Sequence, residues 1–201
     1  MNQRTIGPQG LSVEAIGLGT GPIAIPDNRP SSEEVVRLLA RAAETGVTLW
    51  DTVDAYYKDD SEVGYGERVC RQALDSLPTK LRERIVIATK GGTIRPGGAW
   101  LQDGTPQYLR AAIDASLQAL KTDCIDLWQL HAPDEKVPFA DSIGAVAEAK
   151  TQGKIKFVDL SNVSSAQIDE ALAIVPIASV QNRFAINNRE VEENGVFEKM
   201  P

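Results

Sequence analysis

A chain of 201 residues with 42% apolar side chains can bury one sizeable core, and its length favours a single domain over residues 1–201. A formal net charge of −7 and a pI near 4.8 argue against a surface for nucleic acid or an anionic membrane. No apolar run approaches the roughly 20 residues of a membrane span, and Met1-Asn2-Gln3-Arg4 lacks a signal-peptide core, so a cytoplasmic location is expected.

The chain opens as a hairpin, Arg4-Thr5-Ile6 against Leu11-Ser12-Val13, with Gly7-Pro8-Gln9-Gly10 suited to a type I turn. Glu14 to Leu18 is expected to be a first buried strand, leading into Gly17-Leu18-Gly19-Thr20-Gly21, where a backbone can approach a ligand closely. A helix from Ser31, with Glu34 completing a capping box, ends at Gly46 before strand Val47 to Trp50. A helix from about Ser61 to Leu74 precedes strand Ile85 to Thr89, and a helix opened by Pro106 precedes strand Ile125 to Leu130. Phe139 to Lys150 is helical before strand Ile155 to Leu160. A second capping box, Ser164 with Gln167, starts the helix before strand Ile177 to Val180. Cys70 and Cys124, too few for a disulfide framework, are expected as small core residues.

Six strands and five helices in βα alternation mean a parallel sheet covered on both faces. An open doubly wound sheet and a (β/α)8 TIM-type barrel both fit, and the polar residues favour the barrel. Asp51, Lys90, His131, Ser161-Asn162 and Gln181 fall just past five successive strands, and only a barrel gathers all such ends at one mouth. Eight units need around 250 residues, so the last two βα units are expected to be missing.

The residue types at that mouth suit proton transfer to a carbonyl. Tyr56 can act as an acid if the ammonium of Lys90 favours its phenolate, Asp51 can hold the lysine charged, and His131 can donate to a developing oxyanion. Ser161, Asn162 and Gln181 offer a hydroxyl and two amides, suited to a carboxamide with donor and acceptor atoms. None of these groups supplies a hydride, so a nicotinamide cofactor is required. His131 is the only histidine, and neither a CxxC nor an HExxH pattern is present, so no metal site is expected. Taken singly, Asp51 with Lys90 also reads as a plain salt bridge and His131 as a hydrogen-bonded core histidine.

The sequence resembles the aldo-keto reductases. The resemblance is carried in order by Gly17-Leu-Gly-Thr20, Asp51-Thr52 with Tyr56, Ser61-Glu62 through Gly66, Ala88-Thr-Lys90, Ser116-Leu117, Asp126-Leu127 to His131 with Asp134, Gly153-Lys154, Ser161-Asn162 and Gln181-Asn182. It implies the barrel, NADPH-dependent reduction of small aldehydes and ketones with NADH left open, and a tetrad of Asp51, Tyr56, Lys90 and His131. It also implies cofactor contacts from Gly19, Thr20, Asp51, Ser161, Asn162 and Gln181. The alternative is a reductase-like protein that binds the cofactor without turnover.

Three features depart from the family pattern. Val53 and Tyr57 replace its usual alanine and glycine, which makes Tyr57 a rival phenol at the substrate pocket. Asp159 stands at its usual glycine, and a carboxylate facing the barrel interior is costly unless paired or protonated. The expected aromatic that stacks on the nicotinamide and the basic loop for a 2′-phosphate would lie beyond Pro201. The loop from Gly91 to Gly104, with Arg95 and Trp100, follows Lys90 and reads either as a flexible surface loop or as a wall of the substrate pocket, the large indole of Trp100 favouring the pocket. Oligomeric state is left open.

Overall fold

The structure, a computed structural model, describes residues 3–7 and 10–199. Strands β1 (Gln3–Ile6) and β2 (Leu11–Glu14) form the expected antiparallel hairpin, with Ile6 opposite Leu11 and Arg4 opposite Val13. Pro8 and Gln9, the predicted centre of its turn, lie outside the described residues; Gly10 N–H donates to the Gly7 carbonyl at 3.2 Å. Gly7 has φ +63°, and a Cβ there would fall 2.6 Å from the Ala178 oxygen, so glycine lets the turn seat on the last strand.

Strand β3 (Gly17–Gly19) is followed by a one-turn helix α1 (Gly21–Ala24), then α2 (Ser32–Glu44) and β4 (Leu49–Asp51). Helices α3 (Tyr65–Ser76) and α4 (Thr79–Arg82) lead to β5 (Val86–Gly91). A two-stranded excursion, β6 (Thr93–Ile94) with β7 (Leu101–Gln102), interrupts the alternation before α5 (Pro106–Leu120). Strand β8 (Ile125–Leu130), α6 (Phe139–Thr151), β9 (Ile155–Ser161), α7 (Ser165–Leu172) and β10 (Ile177–Gln181) complete the regular elements.

The six parallel strands lie in the order β3-β4-β5-β8-β9-β10 and curl into half of a barrel wall, with β3 and β10 at its edges. Alternation along each strand sorts side chains to two faces. Trp50, Ile87, Trp128 and Val158 point outward into a cluster with Leu39, Val69, Leu109 and Ile143 of the helices. Each such fully buried side chain contributes roughly 1.5–3 kcal/mol. On the inner face Val86, Leu127 and Phe157 meet Leu11 and Val13, so the hairpin plugs one end of the half barrel and leaves the other end polar.

Both predicted capping boxes are formed, at Ser31 with Glu34 and at Ser164 with Gln167. Local chemistry displaces other boundaries. The stretch read as one strand from Glu14 to Leu18 divides between β2 and β3. The helix placed from Ser61 starts at Tyr65, because Asp59 caps a 3-10 turn over Asp60–Glu62 and Gly64 then turns left-handed at φ +78°. Helices α1 and α4 are too short to show a period. Cys70 is buried in the core as expected, whereas Cys124 is exposed at the turn before β8. No helix among the described residues is long and apolar enough to cross a membrane.

Candidate active site

Parallel pairing brings the carboxyl ends of β4, β5, β8, β9 and β10 to the polar mouth. Lys90, on the inner face of β5 with its side chain 2% exposed, donates from Nζ to Asp51 Oδ1 at 2.6 Å and to the Thr52 carbonyl at 3.1 Å. The second Asp51 oxygen accepts from Gln181 Nε2 at 2.9 Å, which ties the edge strand β10 to β4 across the mouth. Thr20 is fully buried and donates both its backbone N–H (2.9 Å) and its hydroxyl (3.1 Å) to the Asp51 carbonyl. It therefore fixes the Asp51 backbone at the mouth. Gly19, the register partner of Asp51, has open space where a side chain would stand.

Tyr56 sits in the turn after β4, with its N–H on the Val53 carbonyl (3.2 Å) and its carbonyl accepting from Gly66 N–H (3.2 Å). A Cβ at Gly66 would lie 2.6 Å from Thr52 Oγ1 and 3.2 Å from Tyr56 Cβ. Gly66→Ala is accordingly expected to displace this turn at a cost of about 1–3 kcal/mol, read as a lowered denaturation midpoint. A midpoint equal to the parent's contradicts this packing. The Tyr56 ring packs on Gly21 and lies 5.9 Å from Lys90 Nζ. Burial and the Asp51 charge push its phenol up to about 12, opposite to the lowering expected from Lys90, whose charge is already committed to Asp51.

His131 follows β8 and anchors through its N–H to the Gly91 carbonyl at 2.9 Å. Burial, and then the Lys90 charge, depress its imidazole to about 4, so it is neutral at pH 7. Its Nδ1 has no hydrogen-bond partner among the described residues. Asn162 joins three strand ends: its Nδ2 donates to the His131 carbonyl (2.9 Å) and to Ser161 Oγ (3.0 Å), and its N–H to the Gln181 carbonyl (3.3 Å). It does so at φ +56°, a left-handed conformation that asparagine tolerates better than most residues.

Beneath the mouth runs a row of register partners, Lys90, Gln129, Asp159 and Ser179, on β5, β8, β9 and β10. Asp159 does face the interior, in a cavity of about 440 Å³ that Asp51, Gly19 and Gln181 also line. It accepts from Leu160 N–H at 2.7 Å and from Gln129 Nε2, and burial pushes its carboxyl up to about 7 despite those donors. An unfolded aspartate titrates near 3.9. The folded state thus holds this proton from about pH 4 to 7, and stability is lost as pH rises through that window. Asp159→Asn is expected to melt about 5 °C or more above the parent at pH 8, with the gap closing at pH 4. A gap that ignores pH between those values contradicts the assignment.

The structure separates the two tyrosines. Tyr57, expected at the substrate pocket, is buried and lines a cavity that none of the tetrad lines, where its hydroxyl accepts from Arg95 N–H at 3.2 Å. Trp100, half exposed, stands edge-on to His131 at 6.4 Å between ring centres and carries the Arg95 guanidinium 4.6 Å from its own. Sequence reasoning placed Arg95 in this loop but missed its hold on Tyr57, the Asp54–Tyr108 bond (3.1 Å) and the buried Thr89–Glu67 bond (2.6 Å). Only the last had a signal, a polar residue on the outward face of β5. Among the described residues no cluster of His, Cys, Asp and Glu could hold a metal.

The chain is similar to the holo form of an aldo-keto reductase from Bacillus halodurans (29% identity, TM-score 0.80), covering 96% of this chain and 61% of that one. It is similar to a thermostable aldo-keto reductase in complex with the inhibitor epalrestat (29% identity, TM-score 0.81), covering 98% and 68%. It is also similar to the glycerol dehydrogenase of Gluconobacter oxydans (26% identity, TM-score 0.82), covering 96% and 58%. The chain thus spans less than two thirds of the length of the first and third of these. A family model described as the Aldo/keto reductase family matches residues 15–200, and the chain belongs to that family.

Proposed function

We propose that the chain reduces aldehydes and ketones to alcohols, with NADPH as the hydride source and Tyr56 as the proton donor. The observation that carries this reading is the buried Lys90–Asp51 pair at 2.6 Å, set beside the Tyr56 ring and a neutral His131. The donor set suits the nicotinamide carboxamide: Ser161, Asn162 and Gln181 stand together at the ends of β9 and β10, and the side-chain Oε1 of Gln181 accepts no hydrogen bond from the described residues. With Gly19 and Asp51 they would hold the cofactor, which when bound supplies the hydride.

His131 donates to the carbonyl oxygen and stabilises charge that develops there. Tyr56 then yields its proton, because an alkoxide is more basic even than a phenolate whose parent phenol titrates near 12. The Lys90 ammonium, two of whose three N–H groups are engaged, offsets the phenolate charge left behind. Trp100 walls the substrate side and selects for small carbonyl compounds that fit beside an indole.

The test is a fluorescence titration with NADPH, followed by its oxidation in the presence of a panel of aliphatic and aromatic aldehydes. Saturable binding with aldehyde-dependent oxidation supports the reading. Binding without oxidation of any member would leave the cofactor-binding, non-catalytic alternative, and no binding at all would remove both.

A further inference from the structure

Tyr57 faces a space of its own. A cavity of about 250 Å³ lies between the loop after β4, strand β6 and helix α5, and its lining includes Asp54, Tyr57, Val63, Ile94, Arg95 and Tyr108 but none of the tetrad. Two buried ionisable groups there are incompletely satisfied. Arg95 is 8% exposed, donates from Nη1 to the Tyr57 carbonyl and stacks against the Tyr57 and Trp100 rings, yet its Nε has no partner and it forms no ion pair among the described residues. Asp54 is 6% exposed; its Oδ2 accepts from the Tyr108 hydroxyl, the Ala55 N–H lies close to the carboxyl, and its Oδ1 has no hydrogen-bond partner among the described residues.

We infer that this cavity is a second small-molecule site and that it takes a short-chain monocarboxylate. A buried guanidinium without an anion is costly, and its planar fork matches a carboxylate. Burial and the nearby Glu67 push the Asp54 carboxyl well above the usual range, which favours its neutral form and lessens its repulsion of an incoming carboxylate. The Tyr57 hydroxyl accepts from Arg95 N–H and so retains its own proton to give. Asp60, also in the lining, turns both oxygens to the Gly97 N–H at 3.2 and 3.1 Å. Val63, Ile94 and the neighbouring Ala55 and Pro96 supply an apolar surface for a short hydrocarbon body. A ligand on Arg95 is felt at the mouth through Trp100, which touches Arg95 on one side and His131 on the other.

The experiment is a titration of the whole chain with isobutyrate, followed by saturation-transfer NMR and by the indole N–H resonance of Trp100. Saturable binding that shifts this resonance is expected, with isobutyramide, the same shape without charge, binding about tenfold or more weakly. Arg95→Met is expected to weaken binding by about tenfold or more. Val63→Trp, which fills the cavity from its exposed rim and removes no buried charge, is expected to do the same, and Tyr56→Phe to leave binding unchanged. The inference is overturned if isobutyrate does not saturate, if the amide binds equally well, if Val63→Trp has no effect, or if Tyr56→Phe abolishes binding and so places the carboxylate at the mouth. None of these readouts needs turnover, so they stand or fall apart from the carbonyl reductase reading.

Discussion

Tyr56→Phe is expected to lower kcat for aldehyde reduction by about 10²–10⁴-fold while leaving NADPH affinity and the denaturation midpoint close to those of the parent. The separation follows from the surroundings of the phenol. No hydrogen bond to its hydroxyl is made by the described residues, so its removal strands no buried partner, and the ring keeps its packing on Gly21. What is lost is the proton that the product alkoxide needs. Stopped-flow measurement of NADPH oxidation beside a binding titration checks both halves. A variant that retains parental turnover would remove Tyr56 as the acid.

Lys90→Met is expected to cost about 3–5 kcal/mol of stability as well as turnover, because removing one member of a buried ion pair leaves the other uncompensated. The side chain of Asp51 is 16% exposed and would keep only the Gln181 amide, and the Thr52 carbonyl would lose the donor that Lys90 supplies. The double variant Asp51→Asn/Lys90→Met removes both charges and is expected to recover much of the stability but none of the activity. Urea denaturation of the two variants, with turnover assays, separates the pair's contribution to the fold from its part in chemistry. A single variant as stable as the parent contradicts the burial argument.

Features governed by near neighbours were legible in the sequence. The capping boxes at Ser31 and Ser164 reach three residues along the chain, and apolar runs delivered Asp51, Lys90, His131, Ser161 and Gln181 to one mouth because parallel strands align their ends. The tyrosines show where this stops: Tyr56 and Tyr57 lie in a turn, where strand alternation does not decide which one faces the mouth. Arg95 settles it by taking Tyr57, from 38 residues away. Gln181 meets Asp51 across 130 residues, and no local pattern encodes that contact. The phenol of Tyr56 is expected to be more acidic from the Lys90 ammonium beside it, whereas in the fold its own burial, which no local pattern encodes, and the Asp51 charge push it the other way.

The three indoles give the protein a built-in optical reporter. Trp50 and Trp128 are fully enclosed between sheet and helices, where water and small quenchers do not reach, and their emission forms a blue, steady background. Trp100 is 48% exposed and stands beside His131, so its emission is redder and open to acrylamide. Shielding of that quenchable fraction reads out events at the mouth without any label attached to the chain.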